Sequence, residues 1–338
     1  MAGPGGGVMM RGWRGAGGFI LPLCAALLVA GAVACSAPVP QVNVPVRPPP
    51  PIMATSPDGR GAVRPTPAPT ACTKNVGDST LLASILAGAV PGDRICLTGN
   101  LAPERLAMNI SGTARQPISI LGDGHTTVRG ISVDASYVTL SDIDAVGAAA
   151  PGISLFGDHL TLRDSTSISP RGNDGDGIRF WGTNITITHN TIRDTIPLNG
   201  AHADCMQTFA TDAEHPASQH VVIDGNRCEK IYNTCLIAEG PHSLAGDGSG
   251  VGVTSDIRFT NNYCENQADE ALQIDDVQRM VVTGNQIVGR IDHAFAFQNK
   301  STGARVNGNK LRRGIHYEVG MDSSSRPGYR GPEAGGDP

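Results

Sequence analysis

Residues 185–209, ITITHNTIRDTIPLNGAHADCMQTF, decide the fold because they form one unit of a repeat. The first half alternates apolar and polar residues and ends at Asn190. Similar segments are LTLRDS (160–165), VVIDGN (221–226), IRFTNN (257–262), MVVTGN (280–285) and ARVNGN (304–309), with VTLSDI (138–143) a weaker match before them. Their basic period is 22–25 residues, and two units carry roughly a dozen more. Such a period with two-residue alternation is too short for helical repeats, so it predicts a solenoid of short strands.

A second set of aligned segments follows the first in each unit. It consists of PGISL (151–155), DGIRF (176–180), DCMQT (204–208), TCLIA (234–238), EALQI (270–274), HAFAF (293–297) and RGIHY (313–317). The second residue is always small and the third always apolar. Two strands per coil, each with an inward column, predict a parallel β-helix. The asparagines that end the first set suit its turns because Asn tolerates the left-handed conformation.

The repeats resemble the right-handed parallel β-helix (pectin lyase-like) superfamily of pectate lyases, polygalacturonases and related enzymes. The opening PGDRICLTGN (91–100) and ISGTARQPISILGDG (110–124) is most similar to the alginate and chondroitin B lyase branch. The resemblance implies an all-β, single-stranded right-handed parallel β-helix solenoid over residues 71–320. Residues 79–90 predict a short amphipathic helix, capped by Asp78 or Ser79, that closes its N-terminal end. At the other end, either the tail folds over the solenoid or another subunit does; the oligomeric state is left open.

The ends of the chain predict export. Residues 1–34 combine Arg11 and Arg14 with an apolar run and small residues, as in a signal peptide. Cleavage before Cys35 fits either a lipoprotein, lipidated at Cys35 and anchored at the cell surface, or plain secretion. Residues 35–70 form a Pro-rich linker, and residues 321–338 predict a disordered tail. The only membrane contact expected is the lipid anchor. The net charge of −5 argues against nucleic acid as a partner.

The cysteines predict disulfides, since exported proteins retain them. Stacked strands lie about 4.8 Å apart, within the Cα separation that a disulfide accepts. Cysteines in the same column of adjacent coils therefore predict the bridges Cys205–Cys235 and Cys228–Cys264, and elimination leaves Cys72–Cys96. An unpaired cysteine stack in the core is the alternative for each stacked pair. No spacing resembles a zinc site.

Outward columns of the second set collect polar and aromatic side chains around the enlarged coils. The candidate catalytic residues are Arg179, His202, Asp204, Gln207 and Glu270. The candidate substrate-binding residues are Trp181, Phe209, Glu239, Gln273, Asp275 and His293. Polar groups interleaved with aromatic rings suit a polysaccharide, and the long loops around them indicate function. A solvated face or a corner hydrogen-bond network is the structural alternative.

Three chemistries stay open at this stage. Elimination at a uronate, the reaction of the lyases that the opening resembles, would use His202 or Arg179 as base. Calcium at Asp174, Asp176 and Asp204 would neutralise the uronate, because stacked carboxylates recruit cations. Hydrolysis would use an Asp204/Glu270 carboxylate pair, although the polygalacturonase motifs other than Asp-Asp have no counterpart. A non-catalytic, wall-binding β-helix protein would keep only the binding columns.

Overall fold

The computed structural model describes residues 71–172, 174–198 and 201–338. The predicted signal peptide, linker and Cys35 lie outside these residues. The opening elements are β1 (Lys74–Val76), α1 (Ser79–Ala87), β2 (Arg94–Leu97), β3 (Arg105–Met108), β4 (Ile118–Val128), β5 (Gly130–Asp134) and β6 (Val138–Val146). Among the described residues, no helix has the length and apolar character needed to cross a membrane.

The following strands form three parallel rows, one strand of each row per coil. The first row holds β8 (Leu160–Arg163), β11 (Thr186–Thr188), β14 (Val222–Asp224), β17 (Arg258–Thr260), β20 (Val281–Thr283) and β23 (Arg305–Asn307). The second holds β9 (Thr166–Ile168), β12 (Thr191–Arg193), β15 (Arg227–Ile231), β18 (Tyr263–Asn266), β21 (Gln286–Ile287) and β24 (Lys310–Leu311). The third holds β7 (Ile153–Phe156), β10 (Ile178–Trp181), β13 (Met206–Phe209), β16 (Leu236–Glu239), β19 (Glu270–Asp275), β22 (His293–Gln298) and β25 (Tyr317–Met321).

This arrangement confirms the predicted solenoid and adds one strand to each coil. The prediction of two strands per coil is wrong because the chain bends sharply after the first row and then re-enters the same sheet as the second row. Branched and aromatic residues of the three rows fill the interior, among them Ile187, Leu272 and Phe259, which are fully buried. These inward residues alternate with outward polar residues, as the sequence pattern predicts.

The asparagine ladder stands at the bend between the first and second rows. The Oδ1 atom of Asn226 accepts from the backbone N of Asn190 at 2.9 Å, and its Nδ2 donates to the carbonyl of Ile187 at 2.8 Å. The left-handed conformation belongs to the residue before each ladder position, not to the ladder residue as we expected. These residues are Asp164, His189, Gly225, Asn261, Gly284 and Gly308, with φ between 51° and 73°. The ladder asparagines instead satisfy buried backbone groups.

Both ends of the solenoid are covered. Helix α1 begins after Asp78, whose side chain accepts from the backbone N of Thr80 at 2.9 Å, and it buries Leu82 and Leu86 against the first coils. At the other end, residues 322–338 differ from the expected disordered tail. They contain a 3-10 helix, η1 (Ser323–Ser325), and form single bridges with two of the three last strands, from Arg330 to β23 and from Gly336 to β25. Residues 322–338 bind to the unpaired backbone groups and the apolar edge of the last coil. Composition alone does not reveal these contacts.

Two of the three predicted disulfides are wrong in their pairing. Cys72–Cys96 forms as expected, but the other bridges are Cys205–Cys228 and Cys235–Cys264, with Cα separations of 5.8 and 6.0 Å. Side chains stacked in one column point the same way, whereas a third-row cysteine faces the second-row cysteine of the next coil across the narrow interior. The two preceding coils show the same opposition, since a Cβ on Gly152 would meet Ser167 and one on Gly177 would meet Ile192.

The predicted register of the last coil is also wrong. Residues 313–317 were aligned with residues 293–297, but His293 pairs with Tyr317 and Phe295 pairs with Val319. Val319 is fully buried and Ile315 only packs partly against the core. The segment RGIHY (313–317) has the same pattern of small and apolar residues as the aligned segments. The sequence therefore does not distinguish the predicted register from the observed one, and strand pairing does. The shift places Tyr317 next to His293 in the site described below.

Candidate functional site

The candidate site is a row of side chains just before or at the start of the third-row strands. One residue per coil contributes: Asp176, Asp204, Thr234, Glu270, His293 and Tyr317. A parallel line of side chains lies three residues further along the same third-row strands. It contains Arg179, Gln207, Ile237, Gln273 and Ala296. Because paired strands are about 4.8 Å apart, these two lines of side chains form a strip that crosses the coils. The strip contains Arg179, Asp204, Gln207, Glu270 and His293 as predicted.

Arg179 is the counter-charge of two predicted metal ligands. Its Nε donates to Asp176 Oδ2 at 2.7 Å, its Nη2 lies 2.6 Å from the same oxygen, and Nη2 also contacts Asp174 Oδ2. Burial opposes the charge, but Asp176 and Asp174 outweigh it and raise the pKa of Arg179. A guanidinium that remains protonated cannot serve as the base that we expected. Its charge instead balances the two aspartates.

His202 is held by a buried carboxylate. Its Nδ1 lies 2.7 Å from Asp204 Oδ2 and 3.7 Å from Asp176 Oδ1. The enlarged coil positions it through Thr195, whose Oγ1 donates to the carbonyl of Ala203 at 3.0 Å. The neighbouring carboxylates of Asp176 and Asp204 raise the pKa of His202 to about 10, against the opposing effect of burial. The ring is therefore cationic at neutral pH and can act as a donor rather than as the predicted base.

Asp204 is a positioning residue in this arrangement. Its Oδ1 accepts from Asn233 Nδ2 at 2.9 Å, from the backbone N of Thr234 at 2.8 Å and from Thr234 Oγ1 at 2.7 Å. Its other oxygen is bound to His202, and the side chain is fully buried. Burial raises the pKa of Asp204, and the neighbouring Asp176 carboxylate acts in the same direction. Because both oxygens accept hydrogen bonds inside the protein, Asp204 serves to orient the imidazolium.

Other polar groups of the strip are buried without partners in the described part of the chain. Gln207 is 5% exposed, and its Oε1 accepts no hydrogen bond. His293 is also 5% exposed and stacks on Tyr317 with ring centroids 5.0 Å apart; its Nδ1 lies 3.5 Å from Asp292 Oδ2, and neither ring nitrogen makes a hydrogen bond. Burial, Asp269 and Asp204 raise the pKa of Glu270, the strand partner of His293. Unsatisfied buried groups are costly and typical of a site that a polar ligand completes.

The predicted aromatic platform is closed. Trp181 is only 6% exposed, and its Nε1 donates to the carbonyl of Phe209 at 2.9 Å. His215, from the long loop after β13, covers both rings, with centroid distances of 4.8 Å to Trp181 and 4.5 Å to Phe209. Asp212 fixes His215 through its Nδ1 at 2.8 Å. Sugar stacking on Trp181 stays a prediction that requires this loop to open.

Two further predicted binding residues hold the loop of residues 240–254. Asp275 accepts from the backbone N of Leu244 at 3.2 Å, and Glu239 accepts from Ser243 Oγ at 3.2 Å. Burial and then Asp275 raise the pKa of Glu239. Gln273 lies in the strip, in register with Ile237 and Ala296. Glu239 and Asp275 therefore anchor this loop beside the strip, two residues further along the same strands.

One group of acidic and histidine ligand atoms in the described residues could hold a metal. Asp174, Asp176 and His202 each offer an atom within 4.8 Å of the others. Calcium takes six to eight oxygen ligands, whereas Arg179 already occupies both aspartates and His202 offers nitrogen. The donor set therefore fits an internal counter-ion better than calcium, and calcium binding stays a prediction in which the ion would compete with Arg179.

Sequence reasoning missed Asn233, which orients Asp204, and Tyr317, which covers His293. Asn233 directly precedes the site position of its coil, so the repeat alignment could have found it. Tyr317 was hidden by the mistaken register of the last coil. His215 lies in a loop with no repeat counterpart, and nothing in its local sequence indicated its contact with Trp181.

A sequence model of the family described as "right handed beta helix region" matches residues 118–311, more than half of the chain. The chain belongs to this family. The match confirms the resemblance and the right-handed coil predicted from the repeats. A comparison with curated proteins finds no match.

Several solved structures are similar to this chain. A mannuronic acid specific polysaccharide family 6 lyase from human gut microbiota is 14% identical, with 73% of this chain and 67% of that chain covered and a TM-score of 0.49. For pectate lyase Pel9A the values are 10%, 75%, 79% and 0.45. For PfbA, a surface adhesin of Streptococcus pneumoniae, they are 12%, 72%, 86% and 0.35. Identities and TM-scores this low carry no inference about the chemistry of this protein.

Proposed function

We propose that this right-handed β-helix protein is an exported, carbohydrate-active enzyme that cleaves a uronate-containing polysaccharide by β-elimination. The observation that carries the proposal is the His202 imidazolium, clamped through Nδ1 by buried Asp204. Its Nε2 has no hydrogen-bond partner among the described residues. A fixed cationic donor on a half-buried surface is what the carboxylate of a uronate, and the enolate formed from it, would require.

Glu270 is the proposed base. Its pKa is raised, so its ionised form holds a proton more tightly than an ordinary carboxylate and is a stronger base. It would take the proton from the carbon next to the uronate carboxylate. The electron pair then forms the new carbon–carbon double bond as the bond to the glycosidic oxygen breaks, and solvent protonates the departing oxygen. His202 would stabilise the negative charge on the carboxylate during this step.

The engaged state of Asp204 favours elimination over hydrolysis by the Asp204/Glu270 pair. A hydrolase needs one carboxylate that reaches the sugar or its attacking water and another that protonates the leaving group. Both oxygens of Asp204 are occupied by His202, Asn233 and Thr234. Elimination needs only one free carboxylate, which Glu270 supplies. Gln207 and His293, with unpartnered polar atoms, would bind sugar hydroxyl groups.

The test is incubation of the purified protein with a panel of uronate polysaccharides, with and without a calcium chelator. Absorbance appearing at roughly 230–240 nm, expected for the conjugated product of an elimination, would support the proposal. A signal that the chelator abolishes would assign calcium a role. Glu270→Gln and His202→Gln should each remove the signal, whereas Glu104→Gln, at an exposed carboxylate in the opening coils, should retain it.

Other products would replace the proposal with one of its alternatives. New reducing ends without absorbance would indicate hydrolysis. Retention of the protein on a polysaccharide without either signal would indicate a binding protein. Failure to bind or cleave any member of the panel would refute the carbohydrate assignment.

A further inference from the structure

Two adjoining cavities lie along the second row, near the corner that leads into the third row. Their volumes are about 400 and 280 Å³, and they share Gly289, Arg290 and Arg312. Lys230 lines one cavity and Arg313 the other, so four basic side chains surround a continuous space. We call these four residues the basic groove. They come from three coils, with Arg312 and Arg313 adjacent in one of them, and the fold is what brings them together.

Three of the four charges of the basic groove are not paired within the described residues, and only Lys230 has an acidic partner. Arg290, Arg312 and Arg313 are exposed, and none of them forms an ion pair or donates a side-chain hydrogen bond there. The carboxylate nearest to Lys230 is Asp194, at 3.8 Å from the ammonium nitrogen. Glu265 is the one acidic residue that lines either cavity. In a chain of net charge −5, this local excess of positive charge indicates an anionic ligand.

The basic groove adjoins the strip of site residues. Asn266 lines the larger cavity, and its Nδ2 donates to the backbone carbonyl of Glu270 at 2.7 Å and to that of Asn233 at 2.9 Å. Asn233 in turn donates to Asp204. A linear polymer could therefore lie across the coils with neighbouring residues in both places.

We propose that the basic groove binds the carboxylate groups of an acidic polysaccharide and holds the chain beside His202 and Glu270. This inference rests on the proposed function for the identity of the polymer. The strip itself carries Asp176, Asp204 and Glu270, so it offers little net attraction for a polyanion. The groove supplies that attraction, and it does so outside the residues that act on the bond.

The composition of the basic groove favours a polysaccharide over nucleic acid. Sites for single-stranded nucleic acid combine positive charge with aromatic side chains on which bases stack. No aromatic residue lines either cavity. Guanidinium groups bind carboxylates in a fixed, two-pronged geometry, and the three arginines suit a regular series of carboxylates.

The test measures binding of the protein to polygalacturonate and to polymannuronate by affinity electrophoresis at several salt concentrations. The double variant Arg290→Gln/Arg312→Gln should bind about tenfold more weakly, with a shallower salt dependence, because two exposed charge pairs are lost. Arg290→Lys/Arg312→Lys should stay closer to the wild type than to the glutamine variant. The control Arg258→Gln/Arg305→Gln, at exposed first-row arginines, should bind like the wild type.

Four results would overturn the proposal. These are unchanged binding by the glutamine variant, an equal loss in the control, a lysine variant as weak as the glutamine variant, or preferential retention of a DNA oligonucleotide. The outcome is separable from that of the proposed function. Charge-dependent binding without product formation would support the groove proposal and refute the elimination. Elimination that does not depend on Arg290 and Arg312 would refute the groove proposal alone.

Discussion

His202 illustrates how single residues of the site depend on their electrostatic surroundings. The ring faces Asp204 and Asp176, and this raises its pKa from 6.5 to about 10. The native state therefore binds a proton more tightly than the unfolded chain does. The resulting stabilisation is fully present below about pH 6.5 and is lost as the pH rises through about 10.

We expect the free energy of unfolding to fall across this pH range, and His202→Gln to remove that part of the fall. Urea unfolding at a series of pH values measures the effect. His125→Gln, at an exposed histidine of β4, is the control and should keep the wild-type slope. Equal slopes for the wild type and His202→Gln would show that Asp204 does not hold a charged ring.

Glu270 differs from His202 because its charged form lowers the stability of the native state while it is the form needed for activity. Its raised pKa means that ionisation of the half-buried carboxyl destabilises the native state at neutral pH. We expect Glu270→Gln to raise the melting temperature at pH 8 and to lower the rate of elimination by about 10²–10⁴-fold, the usual contribution of a general base. A calorimetric scan and the product absorbance measure the two effects. A variant that melts lower and stays active would contradict the role of base.

Asn226 shows what one ladder residue contributes to the fold. Its side chain serves the backbone N of Asn190 and the carbonyl of Ile187, both inside the protein. Asn226→Ala would leave these groups unsatisfied, and we expect a loss of about 2–4 kcal/mol in the free energy of unfolding. Asn309→Ala, at the half-buried end of the ladder, should cost less. Equal losses measured by urea denaturation would mean that ladder position does not matter.

At the scale of elements, the two enlarged coils are joined to their neighbours by disulfides. Cys205–Cys228 links the start of β13 to β15, and Cys235–Cys264 links the start of β16 to β18. Each bridge therefore ties a third-row strand to the second row of the next coil. The bridges lie directly after Asp204 and Thr234, so they also fix the backbone that orients His202.

Peptide mapping without reduction should recover the Cys205–Cys228 and Cys235–Cys264 linkages. Recovery of Cys205–Cys235 would contradict the cross-interior pairing. Cys205→Ser/Cys228→Ser should lower the free energy of unfolding by about 3 kcal/mol, since the bridge closes a loop of 23 residues. Cys72→Ser/Cys96→Ser, with a loop of 24 residues in the opening coils, is the matched variant and should spare the strip.

At the scale of the whole molecule, the last seventeen residues complete the solenoid. The Oγ of buried Ser325 accepts from the backbone N of Ser301 at 3.0 Å, and Gly335 donates to the carbonyl of Val319 at 3.0 Å. Together with the bridges to β23 and β25, these contacts cover part of the edge of the last coil. An uncovered coil would present apolar residues and unpaired strand edges to solvent.

Truncation after Met321 should therefore lower the melting temperature and promote self-association. Calorimetry and light scattering measure these effects. Replacing residues 331–334 with Gly-Ser sequence of equal length is the control for chain length, because the bridges at Arg330 and Gly336 remain. A truncated protein that melts like the wild type and stays dispersed would show that these residues do not close the fold.

The sequence by itself determined the coil, its repeat length, the inward columns and the ladder positions, because strand alternation and turn chemistry are local properties that recur in every coil. It also selected Arg179, His202, Asp204 and Glu270, since repeat alignment places residues one coil apart. The tertiary structure alone decided which cysteine faces which, that Tyr317 covers His293, and that residues 322–338 close the end. It also made His202 a cation rather than a base. These features depend on opposed rows, loop contacts and burial, which a periodic pattern does not record.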